Sequence, residues 1–163
     1  MSVPQIKAIS EKHIEGYAAI FSTPDTVGDV MLPGSFDTTL QEWQKRDKCV
    51  PMLWQHDVRD PIGFWYDFKL YKKGLYVKGV MLTEELQMAR HAKTLLENKC
   101  VTGLSIGFKT RDSYFDEKLN RRYLRDIELM EISLVTFPAH HDTEINQRHL
   151  DWRKQYDERD DKS

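Results

Sequence analysis

The sequence predicts an α+β domain: a mainly antiparallel, β-barrel-like sheet with one long and one short helix. Three observations carry this expectation. Apolar, aromatic and β-branched runs bounded by Gly, Pro, Asp and Ser recur along the chain, as short strands do. Residues 62–70 and 74–81 are two such runs joined by Tyr71-Lys72-Lys73-Gly74, a Gly-containing turn that reads as a hairpin. Helical spacing appears only in a long segment, 84–98, and a short one, 39–46. At 163 residues, one domain with a real core is the simplest organisation.

Taken in order, residues 14–21 form an apolar strand that ends at the breaker run Ser22-Thr23-Pro24-Asp25. Residues 28–34 are a short extended piece ending in a Pro33-Gly34 turn, after which Ser35 or Asp37 caps the short helix. Residues 50–56 are a strand whose apolar start gives way to polar residues. Thr83 is the expected N-cap of the long helix, with Glu84 and Glu85 at the positive end of its dipole. Leu86, Ala89, Ala92 and Leu96 supply its apolar stripe. Residues 103–109 and 126–137 return to strand character, with an exposed polar hairpin region, 111–122, between them. Charges of both signs crowd residues 148–163, so the expected division is a folded domain, 1–147, and a flexible tail, 148–163.

Composition removes several classes of function. A formal net charge of −2 argues against a role resting on broad attraction to nucleic acid or anionic membrane. No apolar run approaches the roughly 20 residues of a membrane span. Met1-Ser2-Val3-Pro4-Gln5-Ile6-Lys7 lacks the apolar core of a signal peptide, so a cytosolic origin is expected. Cys49 and Cys100 have no paired metal-ligand spacing and read as reduced, semi-buried thiols. His140-His141-Asp142 offers ligand atoms, but adjacent residues of an extended chain point opposite ways, so neither metal nor cofactor is expected.

The chemistry centres on Gly103-Leu104-Ser105-Ile106-Gly107. This matches the G-x-S-x-G nucleophile elbow, which requires a sharp strand-to-helix turn. Phe108 to Tyr114 has no helical periodicity, and the preceding hundred residues do not alternate strands with helices, so the elbow is rejected. In a strand, Ser105 and Gly107 share one face, and the glycine leaves open space beside the hydroxyl. The plainer alternative is a bulge with a solvated serine. His56, in Trp54-Gln55-His56-Asp57, is either a general base or a strand-end histidine bonding a turn; adjacent Asp57 points elsewhere. Glu131 lies in an apolar run with Ser133 on its face, and an acid there meets either solvent or a partner such as an imidazole N–H. Asp126 and Glu128 are rivals for that role.

Together these segments resemble the prohead maturation protease family of tailed bacteriophages, over residues 16–145. The resemblance rests on Gly16-Tyr17-Ala18, Asp25, Gly28-Asp29-Val30, Pro33-Gly34-Ser35-Phe36, Leu53-Trp54-Gln55-His56-Asp57, Pro61-Ile62-Gly63, the Ser105 motif, Glu131-Ile132-Ser133-Leu134-Val135-Thr136 and Pro138-Ala139. It implies an assemblin-like fold and a serine endopeptidase that cleaves scaffold and capsid precursor, and can cleave itself, during virion assembly. The place implied is the assembling prohead in the host cytoplasm. His56 carries over as base, Ser105 as nucleophile and Glu131 as third member. His140 stands where the family pattern suggests asparagine, which leaves His140 open as an alternative to Glu131. The chain ends soon after the last motif, so removal of a further C-terminal segment is an expectation, as is a homo-oligomer. A backbone N–H near Ser105, Arg122 or Arg125 could serve the oxyanion. The competing reading is a catalytically silent scaffold or capsid-binding domain of the same fold.

Overall fold

The computed structural model describes residues 12–143. Seven strands and two α-helices occur among them, in the order β1 (His13–Ile20), β2 (Asp29–Met31), α1 (Asp37–Lys45), β3 (Val50–Trp54), β4 (Asp57–Leu70), β5 (Gly74–Met81), α2 (Gln87–Glu97), β6 (Gly103–Asp116) and β7 (Arg121–Val135). The charged segment 148–163 lies outside the described residues.

The sheet runs β1-β5-β4-β3-β7-β2, with β6 on the other edge of β7. β1–β5, β3–β4, β4–β5 and β6–β7 are antiparallel, as expected. β7 also has two parallel neighbours, β2 through Asp29–Met31 and β3 through Met52–Trp54, so the sheet is mixed. The expectation of a mainly antiparallel barrel is corrected in this respect: the sheet curls into a half-barrel. The long chain between β3 and β7 permits parallel pairing that no local hairpin signal reveals. β1 comes alongside β6 across the curl.

One edge of β7 is shared by β2 and β3, and the gap between them is closed by α1. Ile127 N donates to Ser35 O (3.2 Å) and Leu129 N to Thr39 Oγ1 (2.9 Å), while Trp43 Nε1 donates to Leu129 O (2.8 Å). A buried strand edge left unpaired would cost about 1–3 kcal/mol per orphaned group. Side chains of α1 therefore complete the backbone pairing of the strand that carries Glu131. Neither Ser35 nor Asp37 caps α1 through its side chain: Phe36 is the N-cap residue, and the Ser35 hydroxyl is buried without a partner.

The core is continuous. Trp65, Phe36, Met52, Ile62, Leu75, Leu124, Ile127, Leu129, Ile132 and Leu134 are all buried in it. Ala89, Ala92 and Leu96 bring α2 onto this core, with no exposure. The helix starts later than Thr83, since Leu86 is extended at the N-cap position and its N–H closes a separate turn onto Leu82 O. Arg90 instead bonds the carbonyls of Thr83 and Glu84. Cys49 and Cys100 are both exposed free thiols, against the semi-buried expectation; each sits in a loop rather than an element.

Candidate active site

The site is built on three strands meeting at the C-terminal half of β7. In the β6–β7 ladder Ser105 pairs with Ser133 and Gly107 with Glu131. Strand alternation then puts all four on one face, while Leu104, Ile106, Ile132 and Leu134 take the other. Leu104, Ile132 and Leu134 have no exposure and belong to the core, and on the opposite face Ser105, Glu131 and Ser133 are buried as well.

His56 reaches this face from a turn rather than from a strand. Trp54 pairs with Asp57, and the two residues between them, Gln55 and His56, have φ of 53° and 59°. A two-residue loop with both central φ positive is the type I′ hairpin turn, a geometry usually given to Asn and Gly. Here it is occupied by two residues with Cβ atoms, at some cost in strain. The turn is held by β7: Gln55 N donates to Leu134 O, Thr136 N donates to Gln55 Oε1, and Gln55 Nε2 donates to Thr136 Oγ1 (2.6 Å). His56 N donates to Ser133 Oγ at 3.0 Å.

So anchored, the His56 ring places Nδ1 against Glu131 Oε1 in a short hydrogen bond. A carboxylate only accepts, so Nδ1 carries the proton and Nε2 is the basic nitrogen. The Glu131 side chain is 9% exposed and that of His56 42%, so the pair is buried at its carboxylate and open at its ring. The second oxygen, Oε2, accepts from Ser133 Oγ at 2.6 Å. Gly107 makes room for this arrangement: a Cβ there would stand 2.3 Å from Glu131 Oε1.

The Ser105 hydroxyl makes no side-chain hydrogen bond among the described residues, while Ser133 both donates and accepts and is wholly buried. Of the two paired serines, only Ser133 has its hydroxyl engaged among the described residues. Ser105 also borders a cavity of about 60 Å³ inside the curl, lined by Ala18, Ile20, Leu104, Ile106 and Phe108 among others. That cavity touches neither His56 nor Glu131.

The rivals for the third position are engaged elsewhere. Glu128 faces Arg111 at 3.9 Å. Asp126 pairs across the ladder with Asp112, seven residues along β6 from Ser105. His140 is buried, with Nδ1 accepting from Asp142 N and Nε2 bonded to Thr23 Oγ1 at 2.7 Å; burial holds its pKa below the ordinary value. Asp57 binds Arg59 in a fork and leaves His56 alone. Arg122 forks onto Asp29, and Arg125 pairs with Asp112 over the Tyr114 ring. Both guanidinium groups are therefore engaged by carboxylates, and Asp29 lines the same cavity as Ser105. The sequence pattern put Ser133 on the face of Glu131 but gave no sign of its bonds to His56 and Glu131, nor of the part Gln55 plays in the turn.

A model of the caudovirus prohead serine protease family matches residues 2–156. The chain belongs to this family. It is 35% identical over 127 residues to the prohead protease of enterobacteria phage HK97, covering 77% of this chain and 55% of that protein. It is 29% identical over 163 residues to the prohead protease of Escherichia phage T5, covering 93% and 76%. The chain thus spans about half the length of the HK97 relative. Among solved structures it is similar to the bacteriophage T4 capsid assembly protease, with TM-score 0.61, 10% identity, and coverage of 76% of this chain and 80% of that one. It is also similar to the KSHV protease in complex with a hexapeptide phosphonate inhibitor, with TM-score 0.55, 15% identity, and coverage of 82% and 63%. At such identities the two structures establish the fold, which is the assemblin-like one the sequence suggested. No described helix is long and apolar enough to cross a membrane.

Proposed function

We propose that this chain is a serine endopeptidase that cleaves capsid and scaffold precursor proteins within the assembling phage head. The observation that carries the reading is the His56–Glu131 pair, oriented by β7 and set over Gly107 on the face that presents Ser105. A serine hydroxyl needs a neighbouring base and an oriented imidazole to become a nucleophile, and this face offers both.

In the proposed cycle, Ser105 Oγ attacks the scissile carbonyl carbon while His56 Nε2 takes its proton. The imidazolium formed is stabilised by Glu131, which stays ionised and keeps the ring oriented. The proton passes to the departing amine, the C–N bond breaks, and an acyl-Ser105 ester remains. Water then attacks the ester carbonyl carbon while His56 Nε2 takes its proton; the acyl C–Oγ bond breaks, His56 returns the proton to Ser105 Oγ, and the acid is released. The missing Ser105–His56 hydrogen bond is compatible with this, because such contacts often tighten only when substrate binds. Oxyanion stabilisation falls to backbone N–H groups at the site, since Arg122 and Arg125 are bound elsewhere.

The substrates, self-cleavage, self-association and the prohead as place of action all belong to this proposal. Incubating the chain with the capsid precursor of its own phage, followed by mass spectrometry, tests it. Discrete fragments with wild-type protein and none with Ser105→Ala are expected. An intact precursor in both mixtures would favour the silent binding domain.

A further inference from the structure

We infer that Ser133 is a positioning residue whose single hydroxyl fixes both the backbone of His56 and the carboxylate of Glu131. The inference rests on the proposed roles of Ser105, His56 and Glu131. A serine hydroxyl has one proton to donate and lone pairs to accept with. Here the proton goes to Glu131 Oε2 at 2.6 Å, and a lone pair receives His56 N–H at 3.0 Å. The first contact has the length of a charge-assisted bond to an ionised acid. Both are sheltered, since Ser133 has no exposure and Glu131 has little.

Two consequences follow from one rotor. With Oε2 occupied, the carboxylate is turned so that Oε1 faces the imidazole Nδ1. With its lone pair on the His56 amide, the same hydroxyl ties the type I′ turn down at the residue whose ring must be aimed. Gln55 fastens the turn to Leu134 and Thr136, but among the described residues only the Ser133 hydroxyl bonds both the His56 backbone and the Glu131 carboxylate. Ser133 is therefore ruled out as the reacting serine by the same bonds that make it matter: its proton is committed to the acid.

The test uses a fluorophosphonate probe on the full chain, with labelling mapped by mass spectrometry and folding checked by thermal melting. For Ser133→Ala the maximal labelling rate at Ser105 should fall about 10- to 100-fold, the loss expected when a reacting group is misplaced by around 1 Å. The half-saturating probe concentration should barely move. Ser133→Thr, which keeps the hydroxyl, should restore most of the rate. The ¹⁵N signals of the His56 ring supply a readout independent of activity: wild type should show Nδ1 protonated and Nε2 bare, and Ser133→Ala a mixture of tautomers. An unchanged ring signal or an unchanged maximal rate in folded Ser133→Ala overturns the inference, as does failure of folded Ser133→Thr to restore the rate. Loss as complete as in Ser105→Ala also overturns it, since Ser133 would then be the nucleophile. Should Ser133→Ala not fold, Ser133→Cys with its weak donor is expected to give the same tautomer mixing, and an unchanged ring overturns the inference there too. Absence of labelling in wild type counts against the proposed function, and the ring signals still decide the place of Ser133.

Discussion

Gly107 and Glu131 face each other across the β6–β7 ladder, and a side chain at position 107 would strike the carboxylate oxygen that holds His56. The glycine is thus a space requirement of the site, at a residue whose φ is not in the left-handed region.

Gly107→Ala should therefore disable the site more than the fold. Its Cβ would sit 2.3 Å from Glu131 Oε1, so the carboxylate must leave its place. A fall in Ser105 labelling of about 10²-fold is expected, with a stability loss of about 1–3 kcal/mol from overpacking. Labelling kinetics with a urea titration read both, and a fully active Gly107→Ala protein would contradict the geometry.

Glu131 and Asp57 make opposite predictions although both acids are close to His56. Glu131→Gln should lower activity by about 10⁴-fold, as loss of the orienting carboxylate does in a well-studied triad. Asp57→Asn should change it little, because Asp57 is occupied by Arg59. Parallel rate measurements on the two variants check this, and equal losses would place the orienting acid wrongly.

Much of this site was legible in the sequence because strand alternation is so regular. Once residues 103–109 and 126–137 read as strands, Ser105 with Gly107 and Glu131 with Ser133 fell on defined faces. The hairpin through Tyr71-Lys72-Lys73-Gly74 was legible for the same local reason. What remained hidden depends on contacts distant in sequence. The parallel pairing of β3 with β7 brings Leu53 beside Ser133, and no local pattern announces it. His56 read as a strand end, since Gln-His is a rare pair for a type I′ turn; its bonds to Ser133, Leu134 and Thr136 explain why the turn holds. α2 starts later than Thr83 because residues 83–85 form a separate turn closed by Leu86 N–H onto Leu82 O, and Leu86 stays extended at the N-cap.

The closure of the β7 edge by α1 can be tested by stability alone. Thr39→Val keeps the shape but removes the acceptor for Leu129 N–H, a buried bond of 2.9 Å. Destabilisation of about 1–3 kcal/mol is expected from the orphaned donor. Denaturant unfolding measures it, and a neutral result would mean that the gap between β2 and β3 is satisfied in another way.

The pH dependence of stability should carry a His140 component. Burial lowers its folded pKa below the ordinary 6.5, with nearby Asp142 opposing that shift more weakly. As pH falls below about 6.5 the unfolded chain takes up a proton that the folded chain refuses, so the contribution is present above that pH and lost below it. Protonation would also abolish the acceptor for Asp142 N–H. Urea midpoints at about pH 7.5 and about pH 5 should differ more for wild type than for His140→Gln. Equal differences would show that His140 titrates alike in both states.

The proposed function stands or falls with Ser105, served by His56 and Glu131, as the reacting hydroxyl. Fluorophosphonate labelling followed by peptide mapping tests it most directly. The account predicts one phosphonylated residue per chain, Ser105, with labelling abolished in Ser105→Ala and nearly abolished in His56→Ala, while both variants melt like wild type. Labelling at another serine, or undiminished labelling in His56→Ala, would contradict it.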